Sequence, residues 1–182
     1  MKIIYKSFLS GCYLFEHPNF NDERGNFLKI FSNYFKKKIL KNHEIKQVNI
    51  STNKKSYSIR GMHYQNPKPE FKIVKCLEGQ IFDVVVDLRS KSKTFMKKDI
   101  FKLNSKSPHL LLIPENFAHG YQTLKPNTKV LYMHTSNYYE NYSKGFHYQE
   151  PLFDINWPHK ASCISKKDAS YEFIDKNSFK GI

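Results

Sequence analysis

Two short segments of this 182-residue chain carry the residue types that proton transfer at carbon requires. One is Arg60-Gly61-Met62-His63-Tyr64-Gln65, the other Ile113-Pro114-Glu115-Asn116-Phe117-Ala118-His119-Gly120-Tyr121. A histidine titrates near neutrality, so it can take a proton from carbon, ligate a metal or simply close a hydrogen bond in a core, and its neighbours decide which. A zinc or iron centre needs at least three convergent nitrogen or oxygen ligands. The sequence nominates only His63, His119 and Glu70, and His63-Tyr64-Gln65 has a glutamine where a second ligand at that spacing would stand. No metal and no cofactor is expected.

Both histidines need rigid elements to aim them, and the chain offers mostly strands. Runs rich in β-branched or aromatic residues recur over 3–9, 27–31, 45–51, 57–62, 71–77, 80–88, 98–103, 109–113, 120–123 and 129–135, many bounded by Gly, Pro, Asn or Ser. The run Ile81-Phe82-Asp83-Val84-Val85-Val86-Asp87-Leu88 alternates imperfectly, as a strand buried over part of both faces does, and Glu78-Gly79 supplies the turn before it. Helix is expected only over 32–41, with Ser32 as its cap, and in the segment after Ser165. Short strands at regular spacing predict an all-β fold, a sandwich or barrel with a few short helices, and of these a jelly-roll barrel would aim both histidines inward. Length and a composition without breaks predict a single domain over 1–182.

The net charge of +14 raises the question of polyanionic partners. Of the 30 basic residues 27 are lysine, scattered in ones, twos and threes, and only Arg24, Arg60 and Arg89 offer the fork that nucleic-acid readers use. This is a solvated surface, so neither nucleic acid nor a membrane is expected as a partner. Cys12, Cys76 and Cys163 are odd in number and widely spaced, which encodes neither a zinc knuckle nor a disulfide framework and suits a reducing cytoplasm. Leu9-Ser10-Gly11-Cys12 has the look of a lipoprotein cleavage box, but the stretch before it is short and broken by Lys6, so it reads as a first strand.

The segment from Pro114 to His119 resembles the second cupin motif, with Asn116 where glycine is usual. A more specific likeness spans nearly the whole chain. Asp22-x-Arg24-Gly25-x-Phe27, Gln47-x-Asn49, Arg60-Gly61-x-His63-x-Gln65, Lys72-x-Val74-x-Cys76, Gly79-x-Ile81-Phe82-Asp83-Val84, Pro114-x-x-Phe117-Ala118-His119-Gly120, Leu131-Tyr132, Asn137-Tyr138-Tyr139, Ile155-x-Trp157-Pro158 and Ser165-x-Lys167-Asp168 occur in one order. In this the chain resembles the dTDP-4-dehydrorhamnose 3,5-epimerase family, metal-free cupins that invert carbons flanking the ketone of a nucleotide-linked 4-keto-6-deoxy sugar.

The resemblance implies a cupin-type barrel and a set of roles. His63 would be the base, Tyr132 the acid on the opposite face, and Lys72 the cation that steadies the enolate. Asp168 would orient His63 and raise its basicity, as a carboxylate partner does. His119 would form a polar wall near the ketone, Arg24 and Arg60 would hold the diphosphate with the fork geometry lysine lacks, and Gln47, Asn49 and Tyr138 would frame the base. The family implies a homodimer and a cytoplasmic role in deoxysugar synthesis for a surface polysaccharide. Lys29 stands where a glutamate near the nucleotide is common, and Met133 where a lysine is common, which leaves a dTDP-, CDP-, UDP- or GDP-sugar, and inversion of carbon 3, carbon 5 or both, as alternatives. A non-catalytic sugar-nucleotide-binding cupin and a metal-dependent cupin are the competing classes. His17, His43, His109, His134, His147 and His159 lie outside the motifs and receive no role.

Overall fold

Side chains along a strand alternate between its two faces, and here that alternation sorts the chain into an interior and two outer coats. A computed structural model describes residues 2–182. Among these residues the strands are β1 (Lys2–Lys6), β2 (Tyr13–Glu16), β3 (Asn19–Asp22), β4 (Gly25–Leu28), β5 (Gln47–Asn53), β6 (Ile59–Gln65), β7 (Lys72–Glu78), β8 (Gln80–Asp87), β9 (Lys98–Asn104), β10 (His109–Ile113), β11 (Phe117–Thr123), β12 (Thr128–His134) and β13 (Ser143–Gly145). One antiparallel sheet runs β1-β2-β10-β7-β12-β5, a second runs β13-β6-β11-β8-β9, and β3 and β4 pair as a separate hairpin.

Between the two sheets lie Val74 and Cys76 of β7, Ile81 and Val85 of β8, Leu111 and Ile113 of β10, Phe117 and Tyr121 of β11 and Val130 of β12. Their neighbours in sequence face outward. Ile73, Leu110, Leu112, Leu131 and Met133 are covered by Phe35 and Leu40. Phe82, Val84, Val86 and Ala118 are covered by Phe146 and Phe153. Each fully buried aliphatic or aromatic side chain contributes about 1.5–3 kcal/mol, so these three clusters hold both sheets from both sides. The architecture is the all-β, cupin-type jelly roll that the strand spacing leads one to expect.

The helical expectation over 32–41 resolves into α1 (Asn33–Phe35) followed by a π-helical turn over Lys36–Leu40, and Ser32 Oγ accepts the Phe35 N–H as the cap. The segment after Ser165 forms α2 (Lys166–Ala169), with Ser165 Oγ accepting the Asp168 N–H. Three strands lie outside the runs read from the sequence: β2, β3 and β13 are of only three or four residues, and β3 and β13 are rich in polar groups. The run over 27–31 is strand only as far as Leu28, where the pairing with β3 ends apart from one further bond, from the Lys29 N–H to the Pro18 carbonyl.

Candidate active site

Period-two alternation aims a set of polar residues into one end of the same interior. His63 of β6 lies directly opposite His119 of β11, while Tyr132 of β12 lies opposite Asn49 of β5. Arg60 and His63 are three apart, which in a regular strand would put them on opposite faces. The β6–β11 register slips by one residue between them, and this bulge returns both side chains to the inner face. Gly61 makes the bulge possible. Its φ is +118°, and a Cβ there would stand 2.6 Å from the Gly120 Cα. The result is a cavity of about 390 Å³ bordered by Asn49, Ser51, Arg60, His63, Lys72, His119, Tyr121, Tyr132, His134 and Tyr138, within the range of about 300–1,000 Å³ typical of small-molecule sites.

Three histidine–carboxylate pairs surround this cavity. His63 Nε2 donates to Asp168 Oδ1 at 2.8 Å, and Asp168 Oδ2 accepts the Gly61 N–H at 3.1 Å. The His63 side chain is 37% exposed and Asp168 only 7%, so the carboxylate is sealed behind a ring that faces the open space. His119 Nε2 bonds both oxygens of the fully buried Asp83, at 3.0 and 2.9 Å. His134 Nδ1 bonds Glu70 Oε2 at 2.9 Å, and the other oxygen of Glu70 lies 3.6 Å from Lys72 Nζ.

Electrostatics separates the groups. Burial pushes the Asp168 carboxyl up, but the hydrogen bond and charge of His63 and the Gly61 N–H outweigh it and hold Asp168 below its usual range. Burial likewise opposes ionisation of Glu70, and His134 and Lys72 overcome it. Asp83 is different: its burial wins over His119 and raises it. Burial, followed by Tyr121 and Asp83, pushes the Tyr132 hydroxyl well above its ordinary value, so the phenol keeps its proton throughout the neutral range. A depressed carboxyl stabilises the fold above its unfolded pKa and loses that contribution as pH falls through the folded one. Stability is therefore expected to decline below about pH 4. Asp168→Asn should flatten this decline in urea unfolding followed across acid pH.

The remaining expected residues sit as follows. Arg60 is held at its Nε by Asn53 Oδ1 (2.8 Å) at the cavity edge, and Tyr138, itself bordering the cavity, donates its backbone N–H to Gln47 Oε1 (2.9 Å). Gln47 thus stands one step behind the cavity. Arg24 is not brought to it. That side chain is 89% exposed at the turn of the β3–β4 hairpin, paired with Asp22 at 2.6 Å. Lys29 is exposed, and its carbonyl accepts a hydrogen bond from His17 Nδ1. Among the described residues no three His, Cys, Asp or Glu side chains are grouped to hold a metal ion.

Known proteins share this fold over nearly its whole length. The profile of the dTDP-4-dehydrorhamnose 3,5-epimerase family matches residues 6–176. The chain belongs to that family. An epimerase of this name from Shigella flexneri is 32% identical over 97% of this chain and 98% of its own length. A crystal structure of the Bacillus anthracis enzyme with TDP and pyrophosphate bound superposes with a TM-score of 0.90 at 32% identity, covering 95% of this chain and 99% of that one. The Legionella pneumophila enzyme in complex with dTDP-4-keto-L-rhamnose gives 0.89 at 29% identity, over 97% and 95% of the two chains. As a member of an epimerase family this chain is an isomerase.

Three more residues join the site: His134 and Asp83, which received no role from the sequence, and Glu70, which it nominated only as a metal ligand. His134 lies on the cavity wall, a correction to its placement outside the functional set, because it is two residues beyond Tyr132 and so shares its face. Glu70 precedes Lys72 by the same interval. Asp83 lies opposite Tyr121 on the inner face of β8. Strand period two was the signal that could have found His134 and Asp83, whereas Glu70 lies before β7 begins.

Proposed function

We propose that this epimerase inverts carbon 3, carbon 5 or both of a nucleotide-linked 4-keto-6-deoxy sugar, with dTDP-4-dehydro-6-deoxyglucose as substrate and dTDP-4-dehydrorhamnose as product. One observation carries the reading: His63 comes from the five-stranded sheet and Tyr132 from the six-stranded sheet across the same cavity. A sugar ring lying between the sheets has a base on one face and an acid on the other.

The chemistry follows from the groups in place. A hydrogen beside a ketone is weakly acidic, and His63 removes it with the ring nitrogen that Asp168 leaves free, while the anionic Asp168 stabilises the imidazolium formed. The electron pair moves onto the ketone oxygen as an enolate, which the Lys72 ammonium meets. Tyr132, kept protonated by its surroundings, returns a proton to carbon from the opposite face. Proton exchange with solvent then resets both groups. Arg60 suits the diphosphate at the cavity edge, Tyr138 and Asn49 suit the nucleotide end, and His119, clamped by Asp83, forms the wall near the ketone. Lys72→Met is expected to cut kcat by about 10²–10³, the loss typical of one oxyanion donor, in steady-state assays of epimerisation. The substrate assignment is tested by incubating the enzyme with dTDP-, CDP-, UDP- and GDP-linked 4-keto-6-deoxy sugars and reading product configuration at carbons 3 and 5 by NMR.

The exposed hairpin supports a homodimer. Phe20 and Phe27 on it are 60% and 66% exposed, and Val48 and Ile50 on the edge strand β5 are 57% and 60% exposed. Apolar surface of this kind suits a second copy, and Arg24, remote from its own cavity, is then free to reach the partner's diphosphate. Light scattering should report a dimer, and Phe20→Asp with Phe27→Asp should weaken it. Three free cysteines suit the reducing cytoplasm, where nucleotide sugars for surface polysaccharides are built. Among the described residues no helix is long and apolar enough to cross a membrane.

A further inference from the structure

His134 is set apart from the other unassigned histidines by three contacts. Its Nδ1 bonds Glu70 Oε2 at 2.9 Å, its ring stacks on Tyr132 (centroids 5.8 Å apart, planes 23° apart), and it borders the cavity beside Lys72. Glu70 is the carboxylate paired with Lys72, a loose ion pair whose Oε1 stands 3.6 Å from Nζ, beyond an ordinary hydrogen bond, while Nζ also donates to the His63 carbonyl at 3.4 Å. Both side chains of the His134–Glu70 pair are largely buried, at 16% and 11% exposure.

A buried carboxylate takes the strongest donor it can reach. Two donors compete for Glu70. We infer that His134 is a positioning residue: by engaging Glu70 it keeps that carboxylate from closing to hydrogen-bond distance of Lys72, and so leaves an N–H of the Lys72 ammonium to meet the ketone oxygen as it becomes an enolate. This rests on the role proposed above for Lys72. Without His134 Glu70 loses its imidazole partner, the loose ion pair with Lys72 tightens to a hydrogen bond, and the ammonium N–H that would meet the substrate is taken by the carboxylate. Binding of the nucleotide end, which lies toward Tyr138 and Arg60, is untouched.

The experiment compares His134→Phe with the same change in a Glu70→Gln background. Phenylalanine keeps a ring stacked on Tyr132 and removes only the donor. His134→Phe is expected to lower kcat about tenfold, part of the loss typical of removing an oxyanion donor outright, while KM moves by less than about twofold, the signature of an interaction made in the transition state. Adding Glu70→Gln removes the charge that would capture Lys72 and should restore most of the lost kcat. If His134→Phe leaves kcat near wild type, or if the double variant is as slow as the single one, the inference is overturned. Should His134→Phe fail to fold in a thermal melt, His134→Asn and His134→Leu, equal in size and differing in the donor, take its place. The asparagine variant should be about tenfold the faster, and equal rates would overturn the inference. Lys72→Met assayed alongside separates the two levels: if it leaves kcat intact, the enolate role of Lys72 fails whatever His134 does.

Discussion

His63→Ala is expected to reduce epimerisation by about 10²–10⁴, roughly 3–5 kcal/mol of transition-state stabilisation, because a positioned general base contributes that much. The protein should remain folded. His63 is partly exposed and its loss leaves Asp168 with the Gly61 N–H as partner, so the cost in stability is about 1–3 kcal/mol, that of a buried acceptor short of one bond. Circular dichroism and urea unfolding check the fold, and deuterium uptake by the substrate checks the chemistry. A folded His63→Ala enzyme that exchanges at more than about a tenth of the wild-type rate, well above the residue such a loss leaves, would remove His63 from the mechanism.

Tyr132→Phe is expected to uncouple exchange from inversion. The enolate still forms, since His63 and Lys72 are untouched, but the proton returns from the face it left. Inversion should fall by about 10²–10⁴ while exchange falls far less. The substitution deletes one hydroxyl from a ring packed between Tyr121, His119 and His134, so packing survives and stability should change by about 1 kcal/mol. Equal loss of exchange and inversion in a folded variant would make Tyr132 an enolate stabiliser or a positioning group.

How far the sequence reveals this site depends on the kind of signal each residue carries. Lys72 and Tyr132 sit in runs legible as strands, whereas His63 and His119 fall one residue outside the runs over 57–62 and 120–123, because β6 continues to Gln65 and β11 starts at Phe117. Asp83 and His134 are legible in principle from period two, each on a strand face or across a ladder from a residue already singled out, while Glu70 lies in the loop before β7. The pairing of β6 with β11 is another matter. Arg60 and His63 share the cavity only because a bulge intervenes, and an odd spacing read alone says the opposite. The β3–β4 hairpin is only partly legible: the run over 27–31 overlaps β4, β3 gives no strand signal, and Arg24 is singled out by its motif rather than by any strand pattern. Its residues are polar or isolated aromatics, and its Arg24 stands out in solvent, paired with Asp22.

The central claim is that base and acid act from opposite sheets through an enolate, and the reaction of the wild-type enzyme in D₂O tests it most directly. With dTDP-4-dehydro-6-deoxyglucose as substrate, each carbon that has inverted should carry one deuterium in the product, because the hydrogen leaves to His63 and a solvent-derived hydron arrives from Tyr132. Inverted product that retains its original hydrogen at those carbons would contradict the account.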